Sequence, residues 1–303
     1  MRIVLTGSSG FLGSGLRKQL IKAGHQVCLL VRNQYTSFTD TDIKCLYYNG
    51  VFSKSLIDYL SLWKPDIFYH LAWEGVGSSS RNNPEVAFRN IELTYASVEL
   101  AKLIGCSKWI GIGSQAEYGV LNRVIAETDI CRPKTYYGKA KLIAGQESLS
   151  KCYKYNIQGV WARVFSVYGP QDHFNTLLSY VIQCFINKTK PKLSSGFQKW
   201  DYLFISDACD ALVSLADDNV RGVFNVASGR TVELRKLVDL IKVKMNYKGE
   251  IGWGVRENDE LIFLCGSIKK IQSYTSWKGP LISLNDGIDI LINYKFNSSD
   301  ESI

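Results

Sequence analysis

The sequence predicts an α/β fold, a doubly wound parallel sheet followed by a smaller lobe of mixed α and β structure. Three observations carry this. An apolar strand at residues 2–6 runs into a glycine-rich turn and then a helical pattern. Short apolar runs then alternate with helical stretches up to about residue 113, the rhythm of successive βαβ units. After Pro170 that alternation breaks down.

The first strand leads into Thr6-Gly7-Ser8-Ser9-Gly10-Phe11-Leu12-Gly13. Leu12, Leu16, Leu20 and Ile21 then share one helical face, and Gly24 stops the helix. A strand, a tight glycine turn and a helix N-terminus present unpaired N–H groups to a phosphate, and glycine lets backbone approach a pyrophosphate closely. The second strand, 26–31, ends in Arg32-Asn33. An acidic residue there suits the ribose hydroxyl of NAD, and an arginine the 2′-phosphate of NADP. Arg32 therefore favours NADP(H) over NAD(H), unless it is an exposed strand-end residue only.

Residues 33–42 form a polar loop, and a third strand covers 43–48. Ser53 is placed to cap a helix carrying Leu56, Tyr59, Leu60 and Trp63, which Pro65 ends. A fourth strand at 67–71 enters His70-Leu71-Ala72-Trp73, and 74–83 reads as a loop at the strand ends, where ligands bind. Pro84 opens a long helix to about Ile104. The fifth strand, 109–113, runs into Ser114-Gln115-Ala116-Glu117-Tyr118-Gly119. Beyond Pro170 the pattern predicts a helix over 175–187, a basic loop at 188–192, strands at 202–205 and 223–226 with a helix at 207–217 between them, and a helix over 232–245. The polar tail from Asn297 is expected to fray.

Composition excludes several classes. With 303 residues and 46% hydrophobic content, the chain can bury a large core. It has no apolar run of the roughly 18 residues that span a bilayer and no apolar leader after Met1-Arg2. Eight scattered cysteines without a C-x-x-C pair, and three histidines without ligand spacing, predict reduced cytoplasmic thiols and no metal site. The net charge of +8 is spread without a run. It fits a solvated surface or attraction of small anionic ligands, and no nucleic-acid module accompanies it.

Tyr137-Gly138-Lys139-Ala140-Lys141 is the candidate for chemistry. A tyrosine and a lysine at i and i+4 lie on one helical face, and an ammonium beside a phenol favours the phenolate. The same spacing occurs on ordinary amphipathic helices. Tyr136 has Ala140 at i+4 and lacks such a partner.

Taken in order, these segments resemble the extended short-chain dehydrogenase/reductase family, in its nucleotide-sugar branch. The turn at 6–13 fits T-G-x-x-G-x-x-G, His70–Trp73 fits H-L-A-A, and Asn90 fits the asparagine of the fourth helix. Ser114 fits the serine before V-Y-G, Tyr137 and Lys141 fit Y-x-x-x-K, and Arg163–Pro170 fits R-x-x-N-V-Y-G-P. Trp200-Asp201-Tyr202 through Asp207 fits R-D-F-I-H-V-x-D, Arg256 and Asp259 fit R-x-x-D, and Trp277, Pro280, Leu284 and Gly287 fit the closing pattern.

The resemblance implies a Rossmann-type sheet formed by 1–169 and 201–230, with a discontinuous substrate lobe from 170–200 and 231–303. It implies Ser114, Tyr137 and Lys141 as catalytic residues. Gly7, Ser9, Gly10, Phe11, Leu12 and Gly13 would hold the cofactor, together with Arg32, Leu71, Ala72, Trp73, Asn90, Tyr137 and Lys141. Gln115, Ser166, Trp200 and Arg256 would face a nucleotide-diphosphate sugar, Arg256 as a diphosphate fork or as one half of a surface ion pair. Glu117 would line the sugar pocket or face solvent. A homodimer through the helix from Pro84 and the helix bearing Tyr137 is implied as well.

The departures set the functional expectation. Family dehydratases carry Asp-Glu after the catalytic hydroxyl residue, and here those places hold Gln115 and Ala116. Ser166 stands for an asparagine and Trp200 for an arginine that contact the substrate's diphosphate in relatives. With Arg32 at the strand end, the pattern favours NADPH-dependent reduction of a nucleotide-linked 4-keto-6-deoxy sugar for surface polysaccharide. The alternatives are an NAD-dependent nucleotide-sugar 4-epimerase, a reductase of a non-sugar carbonyl and a non-catalytic nucleotide-binding relative.

Overall fold

A computed structural model describes residues 1–32, 44–48, 52–75, 81–172, 176–255 and 262–300. Its centre is a seven-stranded parallel sheet. The strands are β1 (Arg2–Thr6), β2 (Gln26–Val31), β3 (Lys44–Tyr47), β4 (Ile67–His70), β5 (Lys108–Ser114), β7 (Gln158–Val164) and β11 (Gly222–Val226). Their order is β11-β7-β5-β4-β1-β2-β3, so the chain reverses direction across the sheet between β1 and β4. Ligands bind at such a switch point, beyond the carboxyl ends of the strands.

Alternation along each strand divides two cores. Ile3 and Leu5 join Leu29, Tyr69, Ile110 and Phe224 on one face, under α1 (Phe11–Lys22) and α6 (Ile205–Ser214). Val4 joins Cys28, Leu30, Phe68, Trp109 and Trp161 on the other, under α2 (Lys54–Trp63), α3 (Pro84–Leu103) and α4 (Tyr136–Lys154). The helix starts are chemically marked. Ser53 Oγ accepts the Leu56 N–H, Asn83 Oδ1 accepts the N–H groups of Glu85 and Val86, and Thr135 Oγ1 accepts the Gly138 N–H.

Two minor sheets accompany the main one. β6 (Arg123–Ile125), β9 (Lys199–Trp200), β12 (Val232–Glu233) and β13 (Phe263–Gly266) form one in the order β12-β9-β13-β6, and β8 (Ser166–Tyr168) pairs with β10 (Tyr202–Phe204). α5 (Leu177–Ile186), α7 (Leu234–Lys244) and α9 (Leu284–Asp300) enclose a third apolar core, and α8 (Lys269–Tyr274) lies beside β11.

Several elements depart from the sequence pattern. β7 is not among the predicted strands, although it is an interior strand between β11 and β5. The helix expected from Val232 starts at Leu234, because Val232 and Glu233 pair with Trp200 and Lys199. The tail expected to fray from Asn297 is helical through Asp300, continuing a face anchored by buried Ile288, Leu291, Ile292 and Lys295. Among the described residues no helix is long and apolar enough to cross a membrane.

Candidate active site

A cleft of about 1030 Å³ runs from the glycine-rich turn, past the ends of β4 and β5, to Trp200 and Tyr202 in the minor sheets. The turn shapes its floor. Gly7 has φ +73°, and its N-terminal position lets the Gly10 N–H donate to its carbonyl at 3.1 Å. A Cβ on Gly7 would lie 2.6 Å from the Ala72 nitrogen, and one on Gly13 would lie 2.0 Å from the Gly7 oxygen. Only glycine fits at either place, so α1 can begin hard against the ends of β1 and β4.

This turn fits a dinucleotide. Gly10 caps α1 without a side-chain hydrogen bond, and the first turn has no acidic residue. The N–H groups of Phe11 and Leu12 therefore stand at the positive end of the helix, where both residues line the cleft. Ser8, which the motif reading passed over, also lines the cleft, and its buried Oγ has no hydrogen-bond partner. Ser9, Gly10, Leu71, Ala72 and Trp73 line it as well, and Arg32 stands with Leu30, Val31 and Tyr48 at the end of β2.

Below the turn, Thr6 Oγ1 lies 3.0 Å from His70 Nδ1 and accepts the Ala72 N–H at 3.3 Å. Burial, aided by the charge of Lys141, pushes the His70 imidazole down to about 3, so it is neutral. Asn90 is placed differently from expectation. It is buried outside the cleft lining, where Oδ1 accepts the Glu74 N–H at 2.7 Å and Nδ2 donates to the carbonyls of Glu74 (2.9 Å) and Val86 (2.8 Å). Its carboxamide fixes the backbone just after Trp73.

Ser114, Tyr137 and Lys141 meet in the middle of the cleft. Ser114 ends β5 and caps a 3-10 turn at Gln115–Glu117, accepting the Ala116 N–H at 3.2 Å. Tyr137 and Lys141 stand one turn apart on α4, whereas Tyr136 faces outward under Lys139.

The electrostatics differ from the simple picture of an ammonium beside a phenol. Burial pushes the Tyr137 phenol up, opposed by a hydrogen bond with Ser114 and by the charge of Arg81, and seconded by Glu117. Burial pushes the Lys141 ammonium down to about 7, opposed by Glu117. Lys141 Nζ lies 6.0 Å from the Tyr137 ring centre, donates to the Ile112 carbonyl at 2.7 Å and sits 3.5 Å from the centre of the Trp73 ring. The expected depression of the phenol by Lys141 is thus not present in this arrangement. The indole and a carbonyl hold the ammonium instead, and burial favours the neutral form of both groups.

Glu117 is neither in the sugar pocket nor in solvent. It is fully buried, with Oε2 accepting from Arg163 Nε at 2.7 Å, and Oε1 accepting from the Ser114 N–H at 2.8 Å and Trp161 Nε1 at 3.0 Å. Of the substrate-side residues, Gln115, Ser166 and Trp200 line the cleft, and Arg256 lies outside the described residues. Arg81, Tyr168, Gln198 and Tyr202 also line it. Tyr168 and Tyr202 fall inside matched segments, whereas no short motif marks Arg81 or Gln198, which parts of the chain far apart bring there.

Comparison with known proteins agrees with this layout. The chain is 26% identical over 311 residues to dTDP-4-dehydro-6-deoxyglucose reductase of Escherichia coli, covering 96% of each chain. It is 26% identical over 269 residues to CDP-abequose synthase of Yersinia pseudotuberculosis, covering 86% of this chain and 91% of that one. The structure of UDP-glucose 4-epimerase from Thermotoga maritima superposes with a TM-score of 0.86 at 21% identity, covering 99% of this chain and 100% of that one. The profile of the NAD dependent epimerase/dehydratase family matches residues 3–227. The chain therefore belongs to that family, the nucleotide-sugar-modifying enzymes of the extended short-chain dehydrogenase/reductase type, whose cofactor is a nicotinamide dinucleotide.

Proposed function

We propose that the protein reduces the C4 carbonyl of a nucleotide-linked 4-keto-6-deoxy sugar, using NADPH. The observation that carries this reading is the meeting of Ser114, Tyr137 and Lys141 in one cleft whose neighbouring positions are Gln115 and Ala116. No carboxylate stands there to abstract a sugar proton, so the reading does not include dehydration. The bound dihydronicotinamide supplies the hydride to the carbonyl carbon. Tyr137 gives its phenolic proton to the carbonyl oxygen as charge builds there; burial keeps the phenol protonated beforehand, and the Ser114 hydrogen bond and the Arg81 charge favour the proton's release. Ser114 Oγ, at the end of a rigid strand, hydrogen-bonds the same oxygen. The relatives named above include dTDP-4-dehydro-6-deoxyglucose reductase, which supports the reading.

The second reading is an NAD-dependent 4-epimerase, the activity named for the Thermotoga maritima structure. A panel of 4-keto-6-deoxy nucleotide sugars with NADPH, followed at the nicotinamide absorbance band, separates them. Consumption of NADPH with at least one sugar supports the reductase. No consumption, with NAD found in the purified protein, supports the epimerase.

Arg32 carries the cofactor preference in this reading, since it lines the cleft with Leu30, Val31 and Tyr48 at the end of β2, where its charge also reaches the Glu74 carboxylate. Arg32→Ala is expected to weaken NADPH roughly 10-fold or more, the size of a lost hydrogen bond to a charged group, and to leave NADH within about 2-fold. Equal losses for both cofactors, measured by titration, would reverse the preference. A cytoplasmic homodimer remains part of the proposal. Its surface would be α3 and α4, which pack side by side and expose Phe88, Ile143 and Tyr153.

A further inference from the structure

Trp73 stands where the family's strand-end pattern has alanine, and it does more than line the cleft. Its ring centre lies 3.5 Å from Lys141 Nζ, and its ring meets Tyr137 edge-on at 5.8 Å and 82°. Lys141 is only 5% exposed, and the Ile112 carbonyl is its hydrogen-bond acceptor. One carbonyl leaves a buried ammonium poorly solvated, and the face of an indole is the best aromatic substitute for the missing water. Trp73 itself is held in place from α3, because Asn90 clamps the N–H and the carbonyl of the next residue, Glu74.

We propose that Trp73 is a positioning residue, a cation–π seat that keeps Lys141 charged and aimed in the dry centre of the cleft, with Asn90 fixing the seat. The inference rests on Lys141 being the lysine that serves the cofactor, as in the proposed function. Other charged or titratable groups surround this seat. His70 approaches from β4, Glu117 from the turn after β5 with Arg163 of β7 paired to it, Arg81 from the segment before α3, and Tyr137 from α4 itself. His70 is neutral and the Glu117 charge is shared with Arg163, so beyond the Ile112 carbonyl the Trp73 indole, nearer than the rings of Tyr137 and Trp161, is what faces the ammonium.

The prediction concerns a pH midpoint. Burial has already brought Lys141 to about 7, so the seat decides whether the ammonium survives at neutral pH. NADPH binding, read by its fluorescence across pH values from about 6 to 9, should weaken as Lys141 loses its proton. In Trp73→Leu, which keeps apolar bulk but has no ring face, the midpoint is expected to fall by roughly one pH unit. Trp73→Phe, which keeps a weaker face, should lie between that variant and wild type. In parallel, the tryptophan emission of the wild type should show a step over the same pH range, and that step should be absent from both Trp73→Phe and Lys141→Met. A step that survives in Lys141→Met, or one midpoint shared by wild type, Trp73→Phe and Trp73→Leu, overturns the proposal. Neither readout uses a sugar substrate, so a failure of the ketoreductase reading would show as absent turnover with these titrations unchanged.

Discussion

Tyr137→Phe is expected to lower kcat by a factor of roughly 10²–10⁴, the usual contribution of a positioned general acid. In the proposed reaction the phenolic proton is the part of the side chain that is used, and the ring is held independently of it. Trp73 meets the ring edge-on, the Arg81 guanidinium carbon lies 5.4 Å from its centre, and the backbone N–H donates to the Arg81 carbonyl at 2.9 Å. All three contacts survive in phenylalanine. Ser114 loses its hydrogen bond with the phenol yet keeps the one from the Ala116 N–H. Stability should therefore fall by no more than about 1 kcal/mol, and cofactor affinity should stay within a few-fold of wild type. Turnover within about 3-fold of wild type, in a variant that binds cofactor normally, would remove Tyr137 from the chemistry and the proposed mechanism with it.

The parts of this site that were legible in the sequence are those written as local spacing. A glycine turn after a strand needs only eight consecutive residues, and its physical reason appears in the structure as the approach of Gly7 to Ala72 and of Gly13 to Gly7. Tyr137 and Lys141 share a helical face because helical geometry puts them there. What that geometry could not state is the company they keep. The seat of Lys141 on Trp73 joins the end of β4 to α4 across nearly 70 residues of chain, and it reverses the expected partnership of ammonium and phenol. Glu117 was illegible for a related reason. A carboxylate three residues beyond a strand reads as exposed, unless Arg163 and Trp161 from β7 are known to stand beside it. β7 itself gives no alternating pattern, because both faces of a central parallel strand are buried. The four-stranded minor sheet is the hardest case. Its strands have two to four residues, too few to show a period, and it joins Arg123 to Leu264 in a ladder no local pattern announces.

Glu117→Ala is expected to destabilise the fold by about 3–5 kcal/mol, the cost of removing one partner from a buried ion pair. The figure follows from what is left behind. Arg163 is 5% exposed and keeps its charge, so truncation strands a guanidinium that still has the Tyr118 ring, 4.4 Å from Cζ, and the Cys131 thiol beside it but has lost its carboxylate. The Ser114 N–H and Trp161 Nε1 lose their acceptor at the same time, and the 3-10 turn that Glu117 closes against Ser114 loses half of its capping. Glu117→Gln separates the two contributions. The amide keeps the shape and an oxygen that can accept from Ser114 and Trp161, so the turn should persist while the charge on Arg163 goes unanswered. Urea unfolding at pH 7 should place Glu117→Gln between wild type and Glu117→Ala. Electrostatics make a second, independent statement. The Glu117 charge favours the protonated forms of both Lys141 and Tyr137, so its neutralisation should lower both pKa values. For Lys141, already near 7, the ammonium would then be lost at lower pH, and cofactor binding should weaken earlier on the alkaline side than in wild type. A Glu117→Ala protein as stable as wild type would mean that Arg163 has another counter-charge and that the strand-end serine is held by something else. An unchanged binding profile in Glu117→Gln would mean that the carboxylate, though only two side chains away from the reacting centre, is electrically silent there.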